Sequence, residues 1–302
     1  MRPYEFCNLS QAIVRSTDTL EEIERKIRLA SIIGTIQSAM VDFKNINSLF
    51  GENCRKERLL GVSISGIMDN PITANPTPEV LEQLKNAAIE ENRKWADKIG
   101  CSYSTSVTCV KPDGNTSVLY DTAPGIHGRY SPYYIRRMRV AANTPVANYA
   151  LHAGVPAEPA LGETWEDVRT IVLSFPVKSP GNATIQRERS AIEQLDNWLM
   201  YKKFFTETNP SVTISYKPEE LNKIAIWLYE HQDYAIGLSF LPVDDHTYIQ
   251  APYEAISEEQ YIKMLKAFPP LSEDGFWDFE NGFLDTTEAA QNLACVGGAC
   301  LL

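Results

Sequence analysis

The sequence predicts an α/β fold with parallel strands. Three observations predict it. Segments with apolar residues at helical spacing alternate with short runs rich in β-branched residues. Capping signals open several of the helical segments. No internal repeat or low-complexity tract breaks the alternation.

Each element has its own signal. Asp18 with Glu21 reads as a capping box, and Leu20, Ile23, Ile27, Ala30, Ile33 and Met40 then recur at helical spacing to about Phe43. Residues 59–68 (LLGVSISGIM) read as a buried strand in which Gly66 permits a close backbone approach. Thr77 and Pro78 open a second helix that runs to about Ile99. Residues 106–110 read as a strand, followed by a polar loop over 111–117. Residues 131–140 and 145–152 read as helices, although arginines crowd the first. Residues 171–177 read as a strand. Ser190 and Glu193 form a capping-box pair for a helix ending near Thr208, and 212–216 alternate as a strand. Pro218 starts a helix carrying Leu221, Ala225 and Leu228, and 236–241 form a further strand. Ser257 and Gln260 cap a last helix through Phe268. After Phe283 the chain turns small and polar, which predicts a mobile tail.

Composition narrows the functional classes. Apolar residues make up 44% of the 302 and charged residues 22%, the profile of a soluble globular protein. A net charge of −11 argues against a nucleic-acid polymer or an anionic membrane surface as partner. No apolar run approaches the ~20 residues that span a bilayer, and the N-terminus has no signal-peptide stretch, so a cytoplasmic location is expected. The six cysteines are too scattered for a disulfide scaffold. In a reducing compartment they point to buried, metal-binding or redox-active thiols.

Four features carry chemistry. Cys295 and Cys300 flank VGGA, a hinge that lets two thiols meet and exchange with a disulfide elsewhere. The competing readings are half a zinc site or chance, and no complete metal set is evident. Cys7, Cys54, Cys101 and Cys109 read one by one as buried cysteines, although Arg55 and Lys56 beside Cys54 could lower its pKa. In the 111–117 loop, Gly114 allows a tight bend, and Asn115, Thr116 and Ser117 offer donors near an anion nest. That suits a phosphate, an ordinary polar turn being the alternative. Residues 120–140 gather aromatics and arginines around His127, which fits an acid/base, a ligand or a packing residue. Arg136, Arg137 and Arg139 fit phosphates or the surplus carboxylates.

Six pieces stand in a recognisable order: PYEFCNLS at 3–10, ERLLGVSISGIMD at 57–69, VKPDGNTSVL at 110–119, APGIHGRYSPYYIRRMRV at 123–140, NPSVTISYKPEE at 209–220 and CVGGAC at 295–300. Together they resemble the C-terminal half of the catalytic chain of ribonucleotide reductases, most closely the adenosylcobalamin-dependent class II. The resemblance implies the second half of a ten-stranded α/β barrel over 1–285 and a mobile redox tail over 286–302. It implies that Cys7 is one cysteine of the active-site dithiol and that Cys295 and Cys300 are the shuttle pair. Pro112, Asp113, Gly114, Asn115, Thr116 and Ser117 match the loop that holds the substrate's phosphates. Asp113 and Asn115 depart from the usual Pro-Ser-Gly-Thr, so the Asp113 carboxylate is expected to point away or to cap the following turn. His127 is the candidate cofactor contact.

The implied cofactor is adenosylcobalamin, and the substrate a ribonucleoside di- or triphosphate. The family's thiyl cysteine, its general-base glutamate and the first dithiol cysteine lie upstream of these pieces. The resemblance therefore implies an upstream reductase half acting in trans, from a split or interrupted gene or an incomplete gene model, and a thioredoxin-like reductant. A class I fragment is the alternative. It fits less well, because Tyr133-Tyr134 follow the phosphate loop and no Tyr-Tyr occurs after Phe240. A non-catalytic nucleotide-binding remnant is the third reading.

Overall fold

The computed structural model describes residues 2–243 and 248–281. Cys295, Cys300 and the predicted tail lie outside the described residues. In chain order the elements begin with β1 (Asn8–Ile13), α1 (Leu20–Ser38), α2 (Ser48–Glu57), β2 (Leu60–Ser65), α3 (Pro71–Ala74), α4 (Pro78–Ile99) and α5 (Gly114–Leu119). Next come β3 (Tyr133–Ala141), α6 (Pro145–Ala153), β4 (Ala157–Pro159), β5 (Thr170–Lys178), α7 (Ala191–Phe204) and β6 (Val212–Tyr216). The last are α8 (Leu221–Glu230), β7 (Leu238–Pro242), β8 (Tyr253–Ala255), α9 (Glu258–Ala267) and α10 (Glu273–Asn281). No helix among the described residues is long and apolar enough to cross a membrane.

The chain divides into two units, 1–132 with 179–245 and 133–178 with 246–302. The first is built on parallel pairing. β1 runs parallel to β2 from Asn8↔Leu60 to Ile13↔Ser65, and β6 runs parallel to β7 from Val212↔Leu238 to Tyr216↔Pro242. Residues 106–110 join the two pairs through parallel bridges Val62↔Thr108 and Val110↔Pro210. The joining bonds include Val62 N–H to the Val107 carbonyl at 2.8 Å and Ser211 N–H to the Val110 carbonyl at 2.8 Å. Five parallel segments thus lie side by side in chain order. β2 is buried along its whole length, as a parallel strand covered on both faces must be. Ile23, Ile27 and Ala30 of α1 and Leu81, Leu84 and Ala88 of α4 share its core, and Trp198, Tyr201 and Phe205 fill the part around α7. Gly66 has φ of 82°, and a Cβ there would collide with the Val14 carbonyl, which explains the glycine closing β2.

The second unit is an antiparallel sheet in the order β4-β5-β3-β8. β3 pairs with β5 over nine positions, from Tyr133↔Lys178 to Ala141↔Thr170. Ala147, Ala150, Val155, Ile171 and Leu173 form its small core.

The α/β class agrees with the sequence reading, and several details correct it. Residues 131–140 are a strand, not a helix. Aromatic and branched residues suit a pleated surface, and the arginines find acceptors along 250–254. The cap of α1 is Thr19 with Glu22, and the helix stops at Ser38 rather than near Phe43. Asp18 instead accepts the Arg15 N–H at 2.7 Å. The end of the 111–117 loop is already helical, as the start of α5. α7 ends at Phe204, short of Thr208. Strand β1 and helices α2 and α10 carry no prediction.

Candidate active site

Three neighbouring segments of the first unit bring two cysteines together. Cys7 immediately precedes β1, Gly61 lies in β2 opposite Leu9, and Cys109 lies in the 106–110 segment. A Cβ placed on Gly61 would stand 3.0 Å from Cys109 Sγ and 3.4 Å from Cys7 Sγ, and would collide with Leu9. Both sulfurs thus approach the same stretch of β2, where the Leu9 side chain fills the place a Cβ would take. Cys54 of α2 supports the approach to Cys7, because its Sγ accepts the Phe6 N–H at 3.3 Å. Burial pushes the Cys7 thiol up, and the Glu5 carboxylate adds to the effect. Burial first, and then Cys7 itself, push Cys109 up to about 12, while Lys111 opposes them. Both thiols are therefore protonated at neutral pH. Cys109 is buried, as the sequence reading expected, although that reading did not place it beside Cys7. No spacing along the chain encodes a meeting across three strands.

Cys109 stands just ahead of the candidate phosphate loop. Asp113 is buried at the N-cap of α5 and makes no side-chain cap. Its Oδ2 accepts the Ser65 hydroxyl at the end of β2, and Ser65 Oγ lies 2.9 Å from Thr122 Oγ1. The carboxylate is thus turned into the interior, while Gly114 and Asn115 are exposed. Space around Gly114 is open, with nothing within 4 Å of where a Cβ would sit. Thr116 is half-buried, and the buried Ser117 hydroxyl donates to the Gly114 carbonyl at 3.3 Å. Pro112 is exposed and leads into the turn. The first amides of α5 have no carbonyl one turn earlier to bond, so they are available to an acceptor.

A buried ion pair secures the next loop. Arg129 reaches Asp69 twice, Nε to Oδ1 at 2.8 Å and an η nitrogen to Oδ2 at 2.9 Å. It also reaches Asp121 Oδ1 at 2.6 Å. Asp69 Oδ2 accepts the Ala123 N–H at 2.8 Å as well. Burial opposes the charge on Arg129, but Asp69 and Asp121 outweigh it and raise its pKa. Sequence reading did not single out this pair.

His127 ends this loop as a brace. Its Nδ1 lies 3.1 Å from the Pro124 carbonyl, and its Nε2 accepts the Thr213 N–H of β6 at 3.0 Å. That pattern is a neutral ring with its proton on Nδ1. Burial pushes its pKa down. Both ring nitrogens are committed to backbone, so neither is free for a cofactor. In the second unit, Arg137 pairs with Glu254 at 2.6 Å, while Arg136 and Arg139 reach the carbonyls of Pro252 and Gln250. Among the described residues no group of three or more His, Cys, Asp or Glu side chains could hold a metal ion.

No protein-family profile matches the chain. It is 28% identical over 306 aligned positions to the adenosylcobalamin-dependent ribonucleoside-triphosphate reductase of Euglena gracilis, covering 98% of this chain and 40% of that one. It is 25% identical over 284 positions to the adenosylcobalamin-dependent ribonucleoside-triphosphate reductase of Lactobacillus leichmannii, covering 82% of this chain and 37% of that one. The chain therefore spans about 40% of the length of these relatives. It shares its fold with the crystal structure of a B12-dependent (class II) ribonucleotide reductase, at a TM-score of 0.80 and 21% identity, covering 94% of this chain and 43% of that one. The chain's homologues are adenosylcobalamin-dependent ribonucleoside-triphosphate reductases, and it corresponds to their C-terminal part.

Proposed function

We propose that this chain supplies the C-terminal portion of a cytoplasmic, adenosylcobalamin-dependent ribonucleotide reductase. The observation that carries the reading is the similarity to such reductases along nearly the full length of the chain. The overall reaction takes a ribonucleotide and two thiols to a 2′-deoxyribonucleotide, a disulfide and water. Cys7 is one of the two thiols, and its partner belongs to the upstream portion. A protonated thiol suits the role, since it must deliver hydrogen as well as electrons. The 112–117 loop receives the substrate's phosphates. Support comes from the exposed Gly114 and Asn115 and from the Asp113 carboxylate, which is turned inward and removes its repulsion from the anion.

Exchange with Cys295 and Cys300 then restores the dithiol, and a thioredoxin-like protein restores the tail. Adenosylcobalamin, when bound, supplies the radical that starts the reaction. His127 does not fit the cofactor, because both its nitrogens are engaged. No step is assigned to that contact. The outer edges of β1 and β7 are where the upstream portion would pair to complete the barrel.

The test is capture of the upstream portion from the native source with this chain as bait. Ribonucleotide reduction is then assayed with and without adenosylcobalamin. Turnover that needs the upstream portion and the cofactor, and that Cys7→Ser abolishes, is the expected result. Turnover without cobalamin, driven by a separate radical-generating subunit, would move the chain to class I. Full turnover in C7S would remove the thiol from the mechanism.

A further inference from the structure

We propose that Glu5 relays protons for Cys7 in thiol–disulfide exchange. The inference rests on the reading of Cys7 as a redox thiol and adds to it the group that carries the proton.

Burial, backbone strain and position meet at Glu5. Its side chain is only 6% exposed, yet one carboxylate oxygen alone is bonded. Oε2 accepts the Arg2 N–H at 2.8 Å, while Oε1 is buried without a partner. Such an oxygen costs stability until a donor reaches it, and a thiol is a donor. Tyr4, just before it, has φ of 61°, a left-handed conformation that bulky residues rarely adopt. Asn53 of α2 holds that turn by donating to the Pro3 and Tyr4 carbonyls at 3.0 and 3.2 Å. Side chains alternate along an extended segment. Cys7 and Leu9 both approach Gly61, whereas the Phe6 ring turns to α2 and stacks on Phe50 at 4.7 Å. By the same alternation Glu5 shares the side of Cys7, and its charge acts on the thiol.

The groups around Cys7 single out Glu5. Its own segment carries Glu5, Arg2 and the amino terminus. α2 offers Cys54, and Glu57, which is paired with Arg2. The 106–110 segment offers Cys109 with Lys111 behind it, and β2 presents Gly61. Of these, Glu5 is the carboxylate with an unbonded buried oxygen. In exchange, the Cys7 sulfur attacks a disulfide while its proton passes to the Glu5 carboxylate. One S–S bond forms, the old one breaks, and the leaving sulfur takes the proton back from Glu5. A thiol and a disulfide become a new disulfide and a new thiol, with no other reactant. In reverse, an attacking thiol gives its proton through Glu5 to the departing Cys7 sulfur.

The test uses the full reduced chain, with Cys7 followed by peptide mass. Glu5→Gln removes the charge and keeps an acceptor for Arg2. Its profile of iodoacetamide alkylation against pH should move about one unit lower, because the amide no longer opposes the thiolate. Exchange of Cys7 with the neutral bis(2-hydroxyethyl) disulfide at pH 7.5 should nevertheless be at least threefold slower, because the relay is lost. Burial alone does not produce more thiolate with slower exchange. Glu5→Asp keeps the charge and draws the carboxylate back, so its alkylation profile should stay near the wild type while exchange slows. An unshifted profile in E5Q would overturn the inference. So would exchange that speeds up in step with alkylation, or unslowed exchange in E5D. Full turnover of the assembled enzyme in C7S, with the E5Q split intact, would instead overturn the reading of Cys7 and leave its coupling to Glu5 standing.

Discussion

Arg129 and Asp69 illustrate how one contact fixes a loop. Both side chains are almost fully buried, and two parallel bonds join them. Burying such a pair gives little net stability, but removing one partner strands a charge. Arg129→Ala leaves the Asp69 carboxylate buried without its cation and should therefore cost about 3–5 kcal/mol, whereas Asp69→Asn should cost less because Asp121 still meets the guanidinium. Urea unfolding monitored by tryptophan fluorescence checks it. A loss under 1 kcal/mol would mean that water reaches the orphaned charge. The contrast with the sequence is instructive at this scale. Asp113 stood out because it departs from a motif, and its inward turn became visible only with Ser65 in place. Asp69 and Arg129 stand in two separate recognisable pieces of the sequence, 60 positions apart, so nothing along the chain marked them as a pair.

His127 works between elements, tying the loop at Pro124 to β6 at Thr213. Folding favours its neutral ring, so below the ordinary value of 6.5 the unfolded chain binds more protons. Its contribution is intact above about pH 6.5 and declines as pH falls toward the lowered folded value. His127→Gln should lose about 1–3 kcal/mol near pH 7.5, because two backbone partners lose their geometry. The deficit should shrink near pH 5.5, where the wild-type ring must lose its proton to fold. Denaturant midpoints across that range measure both. A constant deficit would show that the ring does not titrate.

Elements with strong local signals were legible: α4 begins at Pro78 after Thr77, and α7 and α9 carry the predicted boxes. β6 matches its alternation over Val212–Tyr216. β3 was not legible, because its identity as a strand comes from pairing with β5 and β8, far along the chain. The 106–110 segment was expected as a strand and joins the sheet through bridges at Thr108 and Val110.

Across the first unit, the five parallel segments end in two one-sided strands. Among the described residues β1 pairs only with β2, and β7 only with β6. Such edges invite further pairing. The amides of Asn8 and Val14 donate to Leu59 and Ser65. By the alternation of a strand, those of Ser10 and Ala12 face the same way, and those of Leu9, Gln11 and Ile13 face outward. Gln11 adds a second sign, since its side-chain Nε2 and Oε1 are buried without a hydrogen-bond partner. Such an amide costs stability until a partner supplies bonds. Hydrogen exchange of the chain alone should show Leu9, Gln11 and Ile13 exchanging faster than Ser10 and Ala12. In the proposed assembly, pairing with an upstream portion should slow these three amides at least tenfold and leave β2 unchanged. Equal protection of all five amides in the isolated chain would mean that the edge is already covered. The proposed pairing of an upstream portion at β1 would then be wrong.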